Sequence, residues 1–146
     1  MHGAIIIRPA AAGDAPAVCA LNKRSLGYDY LPDKTAERLC SLLAQSGVRL
    51  YVACYGDRVI GYIHGSSYEA SYFDPLVNIM ALAVEPSCQG KGAGRMLLEA
   101  LEAWAKQRGC AGVRLVSGID RTGAHRFYER CGYCLRKEQK NYVKYF

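Results

Sequence analysis

No stretch of the 146-residue chain approaches the roughly 20 consecutive apolar residues that span a bilayer. Met1-His2-Gly3 opens no charged region followed by an apolar one, so a secretory leader is not indicated and the expected location is cytoplasmic. There is no internal repeat, low-complexity tract or linker, and one domain over residues 1–146 is the expectation. Runs of five or six like charges are also missing. The net charge of +6 therefore does not indicate a nucleic-acid-binding tail. It fits either a basic surface or a site for a polyanionic small molecule. The seven cysteines are odd in number and scattered. Without a leader they read as reduced packing residues rather than a disulfide framework. Cys131 and Cys134 form a CxxC, but no second ligand pair accompanies it, so no metal site is expected.

About half of the residues are hydrophobic (51%), enough for a real core. Ile5–Arg8 reads as a first strand, and Ala15–Tyr28 as a helix with Asp14 as N-cap. A second helix is predicted over Asp33–Gln45. Val48–Cys54 and Val59–Ser67 read as a hairpin turning at Tyr55–Arg58. Tyr68–Pro75 reads as a loop. Val77–Val84, apolar on both faces, reads as a central strand. Then come an amphipathic helix over Gly92–Arg108, a strand at Val113–Val116 and a short helix at Thr122–Arg130. Tyr133–Leu135 and Tyr142–Phe146 read as a closing hairpin. The sum is an α/β chain: one mixed, mostly antiparallel sheet of six to seven strands with about four helices.

Gln89-Gly90-Lys91-Gly92-Ala93-Gly94 lies between the central strand and the amphipathic helix. The first N–H groups of a helix lack internal partners and sit at the positive end of its dipole. Glycines let an anion approach that backbone, and Lys91 and Arg95 add charge at the mouth. A P-loop is excluded because no GxxxxGK followed by Ser or Thr occurs. The dinucleotide fingerprint is excluded because Arg95 stands where its last glycine would be, and Arg114 where an acidic residue would follow.

This segment resembles the Q/R-x-x-G-x-G/A motif of the GNAT superfamily of N-acetyltransferases. A second block, Ala124–Glu129 with Gly132-Tyr133, resembles the family's A-x-x-F-Y region, so the likeness covers about residues 77–135. The resemblance implies acetyl-CoA as co-substrate, no metal, and direct attack by a primary amine in a ternary complex, most simply the amine of a small molecule. It places the pyrophosphate on the backbone of Gln89, Gly90, Lys91, Gly92, Ala93 and Gly94, with Arg95 beside it. It places the pantetheine arm along Leu82, Ala83 and Val84, paired as an added strand would be. Tyr128 matches the family's general acid. A tyrosine of ordinary pKa, about 10, holds its proton at neutral pH and can give it to a leaving thiolate.

Two positions depart from the family pattern. Many relatives carry Glu near the start of the central strand, where this chain has Asn78 and Met80, and Arg121 replaces a frequent Asn. Glu69, His64 and Asp74 are the alternative bases, with a bound water as a fourth option. Tyr28, Tyr30, Tyr68 and Tyr72 are candidates to line the acceptor pocket. Competing readings are a protein lysine or N-terminal acetyltransferase and a non-catalytic acyl-CoA sensor. A homodimer is expected from the resemblance, through an exposed sheet edge; neither a membrane nor a nucleic acid partner is.

Overall fold

The computed structural model describes residues 4–146; Met1-His2-Gly3, on which the leader reading turned, lies outside the described residues. The chain divides into two compact units at Leu115/Val116. The first holds strands β1 (Ile5–Pro9), β2 (Val48–Tyr55), β3 (Arg58–Ala70), β4 (Phe73–Val84) and β5 (Gly112–Arg114), with helices α1 (Ala15–Leu26), α2 (Pro32–Leu43) and α3 (Ala93–Gln107). The second holds α4 (Thr122–Arg130). No described helix is long and apolar enough to cross a membrane.

The five strands form one sheet in sequence order. β1 to β4 are antiparallel neighbours, and β5 runs parallel to β4. A two-residue turn at Gly56-Asp57 closes the β2–β3 hairpin, whereas the parallel β4–β5 pair requires the crossover that α3 supplies. The fold class is therefore the mixed α/β arrangement read from the sequence, with five strands among the described residues rather than six to seven.

Two sequence expectations need correction. The closing hairpin does not form: residues 133–146 carry no strand, and Leu135, Tyr142, Val143 and Tyr145 are exposed. Aromatic and β-branched residues favour a strand only where a neighbouring edge and an apolar face accept them. The stretch Tyr68–Pro75 is not a loop. β3 runs to Ala70 and β4 starts at Phe73, and the pairing is held by Tyr68 stacked on Phe73 with ring centroids 5.6 Å apart. Asp14 holds the N-cap position of α1, as read, but its side chain makes no capping bond to that helix. Its carboxylate accepts two hydrogen bonds from Arg8, at 2.8 and 2.9 Å, and one from the Ala11 N–H at 2.8 Å.

Each sheet face has its own helices. Val18 and Leu21 of α1 and Leu39 of α2 pack with Leu50, Val52 and Tyr62. On the opposite face α3 buries Leu97 and Leu101 completely. Its close approach depends on two glycines of β3. A Cβ on Gly65 would lie 2.5 Å from Leu101 Cδ1, and one on Gly61 would lie 2.9 Å from the Ala83 carbonyl and 3.3 Å from Leu97 Cδ1.

A bulge breaks the β3–β4 register. Gly65 faces Ile79 and His64 faces Ala81, so Met80 is the extra residue on β4. Before the bulge, Val77 lies against Gly65 and Leu101 on the α3 face. Unbroken alternation would send Ala81 and Ala83 to that same face. Instead both join the α1/α2 cluster, while Val84 turns toward Gly61 and Leu97.

Candidate functional site

β4 changes its pairing where it changes its facing. Leu76, Val77 and Asn78 pair with β5 on one side and β3 on the other. β5 ends at Arg114, and from Ile79 onward no described strand pairs with that side of β4. Leu82, Ala83 and Val84 therefore pair with β3 alone, which leaves one edge of their backbone for an extended ligand.

Beyond Val84 the chain makes a short 3-10 turn (Pro86–Cys88) and reaches the glycine segment. Gly90 and Gly92 both adopt left-handed backbone conformations, with φ of +83° and +90°. That is a second reason for glycine at these two positions, beside the lack of a Cβ. A Cβ on either would meet nothing within 4 Å, so the space over this backbone is open. Gly92 is the N-cap of α3, one residue later than a helix over Gly92–Arg108 would have it. The Met96 N–H bonds the Gly92 carbonyl at 3.0 Å, so the N–H groups of Ala93, Gly94 and Arg95 precede the first turn's ladder. The first turn of α3 contains no acidic residue. Gln89 reaches back from its side-chain amide to the Val84 carbonyl at 3.4 Å, tying the loop to the end of the strand.

Glu85, buried between strand and loop, would oppose an anion there. Its carboxylate is instead held by Arg24 at 2.6 Å and Arg58 at 3.8 Å. Lys91 and Arg95 remain exposed beside the helix start. Backbone donors, a helix dipole and two cations together suit a pyrophosphate.

In the second unit, Tyr128 lies on α4 between the rings of Phe127 and Tyr133, whose centroids are 5.3 and 5.7 Å away. Burial pushes the phenol up to about 12, against a smaller opposing pull from Arg121. Tyr128 is thus neutral and protonated through the physiological range. His125 is tied to the Gly118 carbonyl at 2.9 Å. Cys131 ends α4 and Cys134 is exposed; no group of three or more His, Cys, Asp or Glu gathers among the described residues.

The first unit also holds a half-open cavity of about 140 Å³ between α1, α2 and the sheet. Its apolar wall is Val18, Leu39, Leu42 and Leu50. Its polar wall includes Tyr30, Arg38 and His64. Tyr62 closes one side and donates its hydroxyl to the Asn22 carboxamide oxygen. Thr35 completes the lining and donates to the Leu31 carbonyl at 3.1 Å. Of the four candidate pocket tyrosines, Tyr30 alone lines this cavity; Tyr28 and Tyr72 are exposed, and Tyr68 stacks on Phe73.

Register separates the candidate bases. His64 sits opposite Ala81, at the bulge. Glu69 is five residues further along β3, and Asp74 seven residues before Ala81 on β4, which is about 16 and 23 Å along the strands at 3.3 Å per residue. Both are exposed near the β3–β4 turn. Burial pushes the His64 imidazole down to about 4, so it is neutral at pH 7, with Nε2 3.0 Å from Ser66 Oγ. Asn78 is engaged elsewhere: its oxygen accepts from Arg114 at 2.6 Å, and the Arg114 guanidinium lies 4.3 Å from the centre of the Tyr68 ring.

Sequence reasoning missed Asn22, Thr35, Arg38 and Tyr62. The spacing of Thr35, Arg38, Leu39 and Leu42 (i, i+3, i+4, i+7) was the one available signal, since it sets Arg38 at the margin of an otherwise core-facing stripe.

Comparisons with known proteins bear on the family and the fold. The model of the acetyltransferase (GNAT) family matches residues 15–133. An aminoglycoside N(6')-acetyltransferase type 1 of Stenotrophomonas maltophilia is 29% identical over 96% of this chain and 90% of its own length. An aminoalkylphosphonate N-acetyltransferase of Salmonella typhimurium is 31% identical over 80% of this chain and 73% of its own. Among solved structures, an aminoglycoside N-acetyltransferase, AAC(6')-Iy, in complex with CoA superposes with a TM-score of 0.88 at 18% identity, covering 99% of this chain and 97% of that one. The chain belongs to the GNAT family and is an acetyltransferase.

Proposed function

We propose that this acetyltransferase moves the acetyl group of acetyl-CoA to the primary amine of a small molecule, by direct attack in a ternary complex. The observation that carries the reading is the continuity of a one-sided strand edge at Leu82–Val84 with a helix start whose glycines hold left-handed backbone. An elongated donor with an anionic middle requires those two features in that order. The names of the curated relatives, both acetyltransferases of small-molecule amines, support the acceptor class.

In this reading the backbone of Gln89–Gly94, with Lys91 and Arg95, holds the pyrophosphate. The edge of Leu82, Ala83 and Val84 aligns the pantetheine arm, and its N–H groups stabilise charge on the thioester oxygen. Acetyl-CoA supplies the activated acyl carbon and the thiolate leaving group. Tyr128, matched to the family's acid position, serves the departing sulfur. With its phenol at about 12 and an ordinary thiol near 8.5, complete transfer is uphill. The phenol therefore acts first as a hydrogen-bond donor to developing thiolate charge, and the proton shed by the acylated nitrogen restores neutrality. At about 4 the His64 ring is too weak a base to deprotonate an alkylammonium. The amine therefore enters as its neutral fraction.

Replacing Tyr128 by Phe tests the acid. The turnover should fall by about 100-fold, the lower range for a lost general acid, with acetyl-CoA affinity unchanged. In the unaltered enzyme kcat/KM should rise with pH as the amine loses its proton. No falling limb should appear below pH 10, because a group at about 12 keeps its proton there. A Tyr128→Phe variant at full rate, or a falling limb well below pH 10, would remove the assignment.

A further inference from the structure

We infer that the cavity between α1, α2 and the sheet is the acceptor's tail subsite, and that it selects primary amines carrying an anionic phosphonate or carboxylate a few bonds from the nitrogen. This rests on the acetyl-transfer reading and adds the acceptor's charge to it.

Charge carries the inference. No Asp or Glu lines the cavity, and its formal charge is the guanidinium of Arg38. At 100° per residue, Lys34 falls about 40° from Arg38 around α2, whereas Asp33 and Glu37 fall about 100–140° from it. Helix phase thus gathers the cations toward the cavity margin and turns the carboxylates away. Lys34 accordingly extends over Tyr30, a lining residue, with its Nζ 6.0 Å from the ring centre. Asn22 gives its oxygen to Tyr62 and keeps its NH₂ for a ligand. A cation and an amide donor over an apolar floor complement an oxyanion on a short carbon chain. They oppose a polycation, whose charges would meet Arg38 and find no carboxylate in the cavity.

Size and position agree. A cavity near 150 Å³ holds a benzene-sized group, so about 140 Å³ takes the chain and anion of a short amino acid or aminophosphonate; the pocket is half open, so the selection rests on charge. His64 faces Ala81 across one strand spacing of about 4.8 Å. An amine reaching out of the cavity past His64 therefore arrives beside Leu82, where the donor's thioester is placed.

The test uses three amines of similar length: 2-aminoethylphosphonate, 3-aminopropanoate and propylamine. Each is assayed for release of CoA thiol from acetyl-CoA and, separately, for binding by protein NMR shift perturbation. The two anionic amines should exceed propylamine in kcat/KM by about 10-fold or more, as one charge-assisted hydrogen bond provides. Arg38→Gln should remove about that factor through KM, leave propylamine unchanged and, because Arg38 is exposed, leave the melting temperature unchanged. Shifts on binding should centre on Asn22, Arg38 and His64. Equal kcat/KM for all three amines, or an Arg38→Gln loss shared by propylamine, overturns the inference and leaves acetyl transfer standing. Binding of the anionic amines at these residues with no thiol release from any amine overturns the transfer reading and leaves the subsite standing. Neither binding nor release overturns both.

Discussion

Leu76–Asn78 and Ile79–Val84 are consecutive in one strand, yet they live in different surroundings. The first segment pairs on both sides, with β3 and β5. Asn78 is tied to Arg114, which stacks on Tyr68, so its polar atoms are satisfied within the protein. The second segment pairs with β3 alone and runs into a glycine segment over which the space is open. One inserted residue, Met80, separates them and reverses which side chains face which helices. The lesson is that a bulge and the end of β5 together turn a strand of the sheet interior into a one-sided edge, without a change in composition.

Removing the bulge should have the largest effect. Deletion of Met80 would leave Ile79 and Ala81 adjacent and opposite Gly65 and His64 as now, so Ala81 and Ala83 would keep their facing while the extra residue that bends and twists the strand is lost. Acetyl transfer should fall by about 100-fold, as a misplacement of about 1 Å at a site can do. A deletion variant with native turnover would show that the bulge does not separate the two segments.

Next come the two glycines of β3. Gly65→Ala forces a methyl to within 2.5 Å of Leu101, beside the closed segment. Gly61→Ala presses on the Ala83 carbonyl, beside the open one. Each should cost about 1–3 kcal/mol by overpacking, read from denaturant midpoints. The acetyl-CoA dissociation constant should separate them: it should rise with Gly61→Ala, which displaces the one-sided edge, and stay put with Gly65→Ala. Equal effects on affinity would contradict the division.

Arg114→Ala should have the smallest effect. Loss of the hydrogen bond to Asn78 and of the stacking on Tyr68 should cost about 1–2 kcal/mol. The turnover should stay within about twofold of the unaltered value, since that corner is a structural tie. A tenfold fall in kcat with unchanged stability would place the closed segment in the chemistry.

The contrast within β4 was not legible in the sequence. Residues 76–84 are apolar almost throughout, so no polar alternation marks where the facing reverses. The glycine segment was legible because Gly90 and Gly92 are required by backbone conformation as well as by access, and both requirements act through residue type. The hairpin at Gly56-Asp57 and the short helix at Thr122–Arg130 were legible for the same local reason. The β3–β4 turn was misread because Asp74 and Pro75 are loop residues by habit, whereas the Tyr68–Phe73 stack that extends the strands is a cross-strand contact. The cavity between α1, α2 and the sheet was hidden because residues from Val18 to His64 meet only after α1 and α2 fold onto the sheet.

The most direct test of the central claim, that the open segment of β4 and the glycine segment together hold the donor, is amide hydrogen exchange by NMR with and without acetyl-CoA. The account predicts new protection within Ile79–Val84 and Gly90–Arg95, with Leu76–Asn78 unchanged because its amides already lie between two strands. Tight acetyl-CoA binding that leaves Ile79–Val84 and Gly90–Arg95 unprotected would contradict it.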